Sequence, residues 1–103
     1  MRRGEIRWYQ FKSPDKKRPV LILTRNSILD YLNEVTVAPI TSTIRDIPSE
    51  VFLSKQDGVR NACVISLDHI QTVSKSRLGS LITTLPEERL AEVRSAIAFA
   101  LDL

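Results

Sequence analysis

The chain has 103 residues, 43% apolar and 26% charged, a balance typical of one soluble globular domain with its own core. No apolar run approaches the roughly 18 residues that a membrane span needs, and no apolar secretory segment follows the N-terminus, so a cytoplasmic protein without membrane association is expected. The single cysteine, Cys63, excludes an internal disulfide and zinc motifs built from several cysteines. Within "ACVISL" it is interpreted as a buried apolar side chain.

The net charge of +3 is unevenly distributed along the chain. Residues 1–25 contain eight basic and two acidic residues, whereas residues 26–103 contain seven basic and ten acidic residues. A polyanion would therefore be attracted to surfaces built by the N-terminal quarter. A solvated basic face accounts for the same distribution, so the charge alone does not indicate nucleic-acid binding.

The first part of the chain predicts three strands. "GEIRWYQF" at residues 4–11 and "RPVLILTR" at residues 18–25 predict the first two, joined by the polar turn "KSPDKK". "NSILDYLN" predicts a helical turn capped by Asn26 or Ser27. "EVTVAPIT" predicts the third strand, in which Pro39 indicates a sheet edge or a bulge.

The second part predicts further strands and then a helix. The strand segments are "SEVFLS" and "NACVISL" on either side of a turn at Asp57-Gly58, the short "HIQTV", and "RLGSLITTL". From Pro86 the apolar residues recur at helical spacing, with Thr84 or the next residue as the predicted cap; they are Leu90, Val93, Ile97, Ala100 and Leu101. Phe99 lies off this stripe, where it could cover a strand or contact a partner chain. Short strands followed by one helix predict an α+β domain, residues 1–103, with a small barrel as its core.

Most familiar catalytic designs are poorly supported. The chain has one histidine and three glycines, with no carboxylate–histidine cluster and no glycine-rich phosphate loop. RNA cleavage is still possible, because the substrate's own 2′-hydroxyl can serve as the nucleophile and the enzyme must chiefly align it and stabilise charge. Arg18 begins one apolar strand, and "VAPITST" ends another in three hydroxyls. If these strands are neighbours, a guanidinium and several hydroxyls would meet at one rim of the barrel.

Five ordered segments resemble MazF/PemK-type toxins, and the resemblance continues into the helix. They are "RRGEI", "KRPVLILTR", "VTVAPITSTIR", "IPSEVFLS" and "SLDHIQTVSKSRLG", followed by "LPEERLAEV". The resemblance covers essentially the whole chain. It implies an SH3-like β-barrel of the MazF/CcdB/Kid type with a C-terminal helix, a homodimer, and a cognate MazE-like antitoxin. It also implies an endoribonuclease that needs no metal or cofactor, cleaves single-stranded mRNA to 2′,3′-cyclic phosphate and 5′-hydroxyl ends, and thereby inhibits translation.

The resemblance also assigns site residues. The family's catalytic arginine corresponds to Arg18 and its catalytic threonine to Thr41. Arg18 is expected to stabilise charge on the phosphate, and Thr41 to hold the phosphate or align the 2′-hydroxyl. The side chains expected to bind RNA lie in the basic turn, after the third strand and in the "DHIQ" segment; they are Lys12, Lys16, Lys17, Ser42, Thr43, Arg45, His69 and Gln71.

Two departures from the family pattern bear on these assignments. The family's longer first loop, with its glycine-serine-glutamate element, is replaced by "KSPDKK", so the RNA sequence preference is open. His69 stands where a glutamine is common, and an RNA contact, a proton shuttle and a structural hydrogen bond are all compatible with it.

Two other functions fit parts of the sequence. A CcdB-like toxin that poisons a protein target such as gyrase would share the scaffold. The C-terminal "FALDL", however, lacks the tryptophan that those toxins use. A non-catalytic RNA-binding barrel could use Trp8 and Tyr9 to stack on unpaired bases.

Overall fold

The computed structural model describes residues 1–11 and 17–103, so most of the predicted "KSPDKK" turn lies outside the described residues. The strands are β1 (Glu5–Gln10), β2 (Lys17–Ile22), β3 (Glu34–Thr41), β4 (Glu50–Leu53), β5 (Cys63–Ser66), β6 (Gln71–Ser74) and β7 (Leu78–Thr84). The helices are α1 (Asn26–Leu29) and α2 (Glu87–Leu101), and short 3-10 turns occupy Lys55–Asp57, Leu67–His69 and Lys75–Arg77. The predicted α+β class, a small barrel with a C-terminal helix, is confirmed. Of the described helices, even the longer one, α2 with 15 residues, falls short of a membrane span.

The strands form an antiparallel sheet in which β3 is central. The order is β4-β5-β3-β2-β1-β7, with β6 also paired to β3. The first half of β3 pairs with β6 and its last two residues pair with β5, so β3 changes partner near Pro39. Pro39 therefore lies in an interior strand rather than at the predicted sheet edge. Proline has no N–H to donate, and a change of partner strand is a position where a ladder hydrogen bond can be missing.

Strand β2 is buried on both faces, as its apolar run predicts. Val20, Leu21 and Ile22 are each fully buried. Leu21 belongs to the core cluster that contacts α2, whereas Val20 and Ile22 belong to a second cluster around Val37. The strand ends at Ile22, three residues before the predicted end.

Both predicted helix caps are wrong. Arg25 occupies the cap position of α1 instead of Asn26 or Ser27. The Asn26 side chain is engaged elsewhere, because its Oδ1 accepts a hydrogen bond from the Arg3 backbone N–H at 2.6 Å. Helix α2 begins after Pro86, which is itself the cap residue and has an extended backbone. Among the residues that the structure describes, no side chain caps either helix, although two glutamates in the first turn of α2 favour its positive end.

The apolar stripe of α2 is confirmed along most of its length. Val93 is buried, and Leu90, Ile97 and Ala100 are partly buried against the same core cluster. Leu101 was predicted to belong to this stripe, but 57% of its surface is exposed. Phe99 is also exposed, so among the described residues it does not cover a strand.

Glu5 is buried at the start of β1 and paired with Arg7. The Arg7 Nε lies 2.7 Å from Glu5 Oε1, and Arg7 Nη1 donates to the Gly79 carbonyl oxygen at 3.0 Å. Burial alone would raise the pKa of Glu5. The hydrogen bonds from Arg7 and from the Arg2 backbone, with the nearby positive charges, outweigh burial and hold this pKa below its ordinary value of 4.5.

This lowered pKa predicts a specific loss of stability in acid. A carboxyl whose pKa is lower in the folded state stabilises the fold above its unfolded pKa, and this contribution disappears as the pH falls through the folded pKa. Below pH 4.5 the free energy of unfolding of the parent should therefore fall more steeply than that of Glu5→Gln. Urea denaturation followed by circular dichroism between pH 7 and pH 3 measures both, with Glu88→Gln on the exposed face of α2 as the control. Equal slopes for the parent and Glu5→Gln would contradict the prediction.

Candidate active site

A groove of about 720 Å³ opens where β2 begins and β3 ends. Parts of β1 and β7 and the loop between β4 and β5 complete its walls. The lining residues are Trp8, Arg18, Pro19, Ile40, Thr41, Ser42, Gly58, Val59, Arg60, Asn61, Cys63, Leu81 and Ile82. Arg18 and Thr41 therefore share one concave surface, as expected if their strands are neighbours.

The strand register explains this juxtaposition. In the antiparallel pair, Val20 lies opposite Pro39 and Leu21 lies opposite Ala38. Extending the same register by two residues puts Arg18 across from Thr41, because the start of one antiparallel strand adjoins the end of the other. Arg18 is exposed and Thr41 is half-buried, so both side chains are accessible to a ligand in the groove.

The Thr41 hydroxyl is oriented by its own turn. The Thr43 backbone N–H donates to Thr41 Oγ1 at 3.1 Å, a local bond that threonine commonly makes after a strand. The oxygen is thus used as an acceptor, and the hydroxyl proton is left to donate to a ligand. Ser42 adds a second hydroxyl to the groove.

The loop after Thr41 is fixed by Glu50 at the start of β4. Glu50 Oε1 accepts hydrogen bonds from the backbone N–H groups of Arg45 and Asp46, each at 3.0 Å. Asp46 has a φ of +56°, a left-handed conformation that aspartate tolerates better than most residues. The hydroxyl-rich turn consequently has a defined position relative to β3.

The lining combines positive charge with apolar surface. Arg18 and Arg60 bring two guanidinium groups to the groove, whereas Ile40, Val59 and Ile82 are apolar. Two guanidinium groups beside apolar walls favour an anionic ligand with phosphate oxygens.

Trp8 supplies an aromatic face to the groove. It is 37% exposed and lies opposite Pro19 across the β1–β2 ladder. A base can stack on such a face. Its neighbour Tyr9 points to the other side of the strand, is buried in the core and packs edge-to-face on Phe11. Of the two predicted stacking residues, Trp8 alone lies in the groove.

Cys63 lines the groove as a neutral thiol. Burial raises the pKa of Cys63, and the negative charge of Asp57 raises it further. A neutral thiol is a poor nucleophile. Cys63 is half-buried, not fully buried as predicted. Its raised pKa agrees with the prediction that it packs as an apolar side chain.

The remaining residues predicted to bind RNA are dispersed. Lys12 and Lys16 lie outside the described residues. Ser42 lines the groove, but five others do not: Lys17, Thr43, Arg45, His69 and Gln71. His69 Nδ1 lies 2.7 Å from Ser66 Oγ, within hydrogen-bond distance. Of the three roles considered for His69, this contact corresponds to the structural hydrogen bond. RNA binding by the dispersed residues stays a prediction.

Sequence reasoning missed Arg60 and Asn61. Both follow the Asp57-Gly58 turn, which was recognised only as a connection between strands. The one sequence signal for them was that they follow a glycine turn, two and three residues after Gly58, in a loop between two strands. Only the packing of that loop beside β7 brings them to the groove that Arg18 and Thr41 line.

Comparison with known proteins gives the family. Residues 2–101 match the family described as PemK-like, MazF-like toxin of type II toxin-antitoxin system, and the chain belongs to this family. It is 42% identical over 89 residues to the endoribonuclease MazF3 of Mycobacterium tuberculosis, covering 86% of each chain.

Solved structures share the same fold. The Mycobacterium tuberculosis toxin MazF-mt6 superposes with a TM-score of 0.88 and 39% identity, over 96% of this chain and 97% of the toxin. A MazE–MazF structure from Deinococcus radiodurans superposes with a TM-score of 0.85 and 26% identity, over 100% of this chain and 97% of the matched chain.

Proposed function

We propose that this chain, as a single domain spanning residues 1–103, is the endoribonuclease toxin of a type II toxin–antitoxin system. The observation that carries the proposal is the meeting of Arg18 and Thr41 in one groove, beside a second guanidinium from Arg60. Family membership and the activity named for the M. tuberculosis relative support the same conclusion. Cleavage of single-stranded mRNA would stop translation.

The proposed reaction is an internal transfer at phosphorus. The 2′-hydroxyl oxygen attacks the adjacent phosphorus and loses its proton, the bond from phosphorus to the 5′-oxygen breaks, and that oxygen takes up a proton. The products are a 2′,3′-cyclic phosphate and a 5′-hydroxyl. The protein must align the attacking oxygen and stabilise the negative charge that grows on the phosphoryl oxygens.

Arg18 and Thr41 have different parts in this reaction. The Arg18 guanidinium stays cationic and presents a fork of N–H donors, so it serves as an electrostatic clamp on the phosphoryl oxygens. Thr41 donates its hydroxyl proton to the same phosphate, while the Thr41 oxygen accepts the hydrogen bond from the Thr43 backbone N–H. These two side chains supply the stabilisation in the proposal, which requires no metal ion or cofactor.

The proposal includes an antitoxin and a homodimer. The matched chain from Deinococcus radiodurans was solved with MazE, and the sequence resemblance implies a MazE-like antitoxin and a twofold dimer. The basic N-terminal quarter favours an acidic antitoxin segment that competes with RNA. Titration of the toxin with the product of a neighbouring gene on a native gel tests this competition.

RNA cleavage in the presence of a chelator tests the function. Purified protein is incubated with a long single-stranded RNA in excess EDTA, and the ends are mapped. Defined cuts with 5′-hydroxyl ends are expected. RNA binding without cleavage would favour the non-catalytic barrel, inhibition of gyrase without cleavage would favour a CcdB-like toxin, and cleavage lost in EDTA would contradict the metal-free reaction.

A further inference from the structure

The groove wall formed by residues 58–61 begins at a tightly bonded turn. Asp57 Oδ2 accepts the Ser54 backbone N–H at 3.0 Å, while the Asp57 N–H donates to the Ser54 carbonyl oxygen at 2.9 Å. The Gly58 N–H then donates to the Lys55 carbonyl oxygen at 3.1 Å. Asp57 is therefore the residue on which the geometry of this turn depends.

Two further contacts fix where the 58–61 wall leaves the turn. Gly58 has a φ of +97°, and a Cβ at this position would lie 2.4 Å from the Thr83 hydroxyl on β7, so the backbone packs directly against that strand. Val59 is buried in the core. Arg60 and Asn61 follow at once and line the groove. A small rotation of the turn would therefore move their side chains relative to Arg18.

Arg89 on α2 connects this turn to the rest of the molecule. Its Nε lies 3.3 Å from Asp57 Oδ1, its Nη1 donates to Glu92 Oε2 at 2.6 Å, and its Nη2 donates to the Phe52 carbonyl oxygen. The side chains of Arg89 and Asp57 are 24% and 17% exposed, respectively. A guanidinium with three partners in a partly buried position is held more firmly than an exposed ion pair.

We propose that Arg89 is a positioning residue for RNA binding. It holds Asp57, and through Asp57 the 58–61 wall, in the place from which Arg60 and Asn61 contact the RNA. The proposal rests on the proposed function, because the wall that Arg89 positions belongs to the substrate groove of that same reaction. Arg89 does not line the groove, so its effect passes through the turn.

The expected effect is local because the wall has other anchors. Removing the guanidinium removes the ion-pair contact with the Asp57 carboxylate and leaves the Phe52 carbonyl oxygen without its Arg89 donor, which loosens the turn. Val59 remains in the core and Gly58 remains against Thr83, so the fold is expected to persist. The phosphate clamp at Arg18 is unaffected, and the loss should appear in RNA affinity rather than in the chemical step.

The first measurement does not depend on RNA. Amide hydrogen exchange is compared between the full-length parent, Arg89→Ala and Arg94→Ala, with Arg89→Lys as a second variant that retains one charged donor. Arg94 is the matched control, because it lies on the same helix and pairs with Glu87 at 2.9 Å in an exposed position. Faster exchange confined to residues 55–61 is expected for Arg89→Ala, with a smaller change for Arg89→Lys and none for Arg94→Ala. Unchanged exchange in this segment would overturn the proposal.

The second measurement uses RNA that cannot be cut. The cut site is first mapped on a cleavable RNA with the parent protein. In a second RNA of the same sequence, the nucleotide that supplies the attacking 2′-hydroxyl is then replaced by its 2′-deoxy form. Arg89→Ala should raise the Kd for this RNA about tenfold, while kcat on the cleavable RNA changes less than about twofold. The effects of Arg89→Ala and Arg60→Ala on the Kd should be less than additive, because both variants weaken the contact of Arg60 with RNA.

The outcomes separate the two proposals. A parent that neither binds nor cuts RNA overturns the proposed function, and this inference with it, whatever the exchange data show. A parent that cuts RNA, together with additive effects of Arg89→Ala and Arg60→Ala, overturns this inference alone. A lower kcat at unchanged Kd for Arg89→Ala would also overturn it, since the wall would then act on the chemistry and not on binding.

Discussion

Replacing Arg18 by alanine is expected to lower kcat for RNA cleavage about 100- to 1,000-fold, the loss typical of removing one preorganised donor to transition-state charge. Arg18 lies at the start of β2 and lines the same groove as Thr41, so its guanidinium is available to a phosphate bound there. Single-turnover cleavage of the mapped RNA measures the chemical step directly. Circular dichroism and urea denaturation show whether the variant remains folded.

Two further variants distinguish a clamp from a simple positive charge. Arg18→Lys keeps the charge but loses the planar fork, so it should recover only a small part of the rate. Arg25→Ala removes a charge from the same basic quarter at a position that does not line this groove, and it should cleave at the parental rate. If Arg18→Ala cuts RNA as fast as the parent at equal folding, the assignment of Arg18 is wrong.

Replacing Thr41 by valine is expected to lower kcat roughly 10- to 100-fold. Valine keeps the branched shape at the end of β3 and removes the hydroxyl, so the loss corresponds to one hydrogen bond to a charged phosphate, about 1.5–3 kcal/mol. The same single-turnover assay measures it. Thr41→Ser keeps the hydroxyl and should retain most of the parental activity.

The Thr43 contact makes the Thr41 prediction more specific. In Thr41→Val the backbone N–H of Thr43 also loses its acceptor, so part of the effect could arise from a looser turn. Thr43→Pro removes that N–H and leaves the Thr41 hydroxyl in place. A rate loss in Thr43→Pro as large as in Thr41→Val would show that the turn geometry, and not the donated proton, carries the effect.

The sequence alone predicted the strands correctly where the local hydrophobic pattern and the burial in the fold agree. The bounds of β3 match the quoted segment "EVTVAPIT", and the apolar run of β2 gave a strand buried on both faces. Period-two and helical patterns predict such elements because the buried face recurs at a fixed spacing along the chain. The shared groove of Arg18 and Thr41 was expected if their strands were neighbours, and the antiparallel β2–β3 pairing accounts for it.

The wrong predictions lie where the tertiary packing differs from the local preference. Asn26 is a good cap residue by type, but the Arg3 backbone, 23 positions away, occupies its side-chain oxygen. Leu101 has the right spacing for the stripe of α2, yet 57% of its surface is exposed, although its neighbour Ala100 packs against the core. Neither outcome can be read from the local sequence pattern.

The sequence by itself therefore determined the class of fold, the order of the elements and the candidate pair Arg18 and Thr41. Only the tertiary structure decided which further side chains share their groove. Trp8 lies in it while Tyr9 does not, and Arg60 with Asn61 reaches it because Gly58 packs against β7 and Arg89 holds Asp57. The physical reason is range: strand and helix patterns follow from neighbours a few residues apart, whereas a loop is positioned by contacts with segments 25 or more residues away.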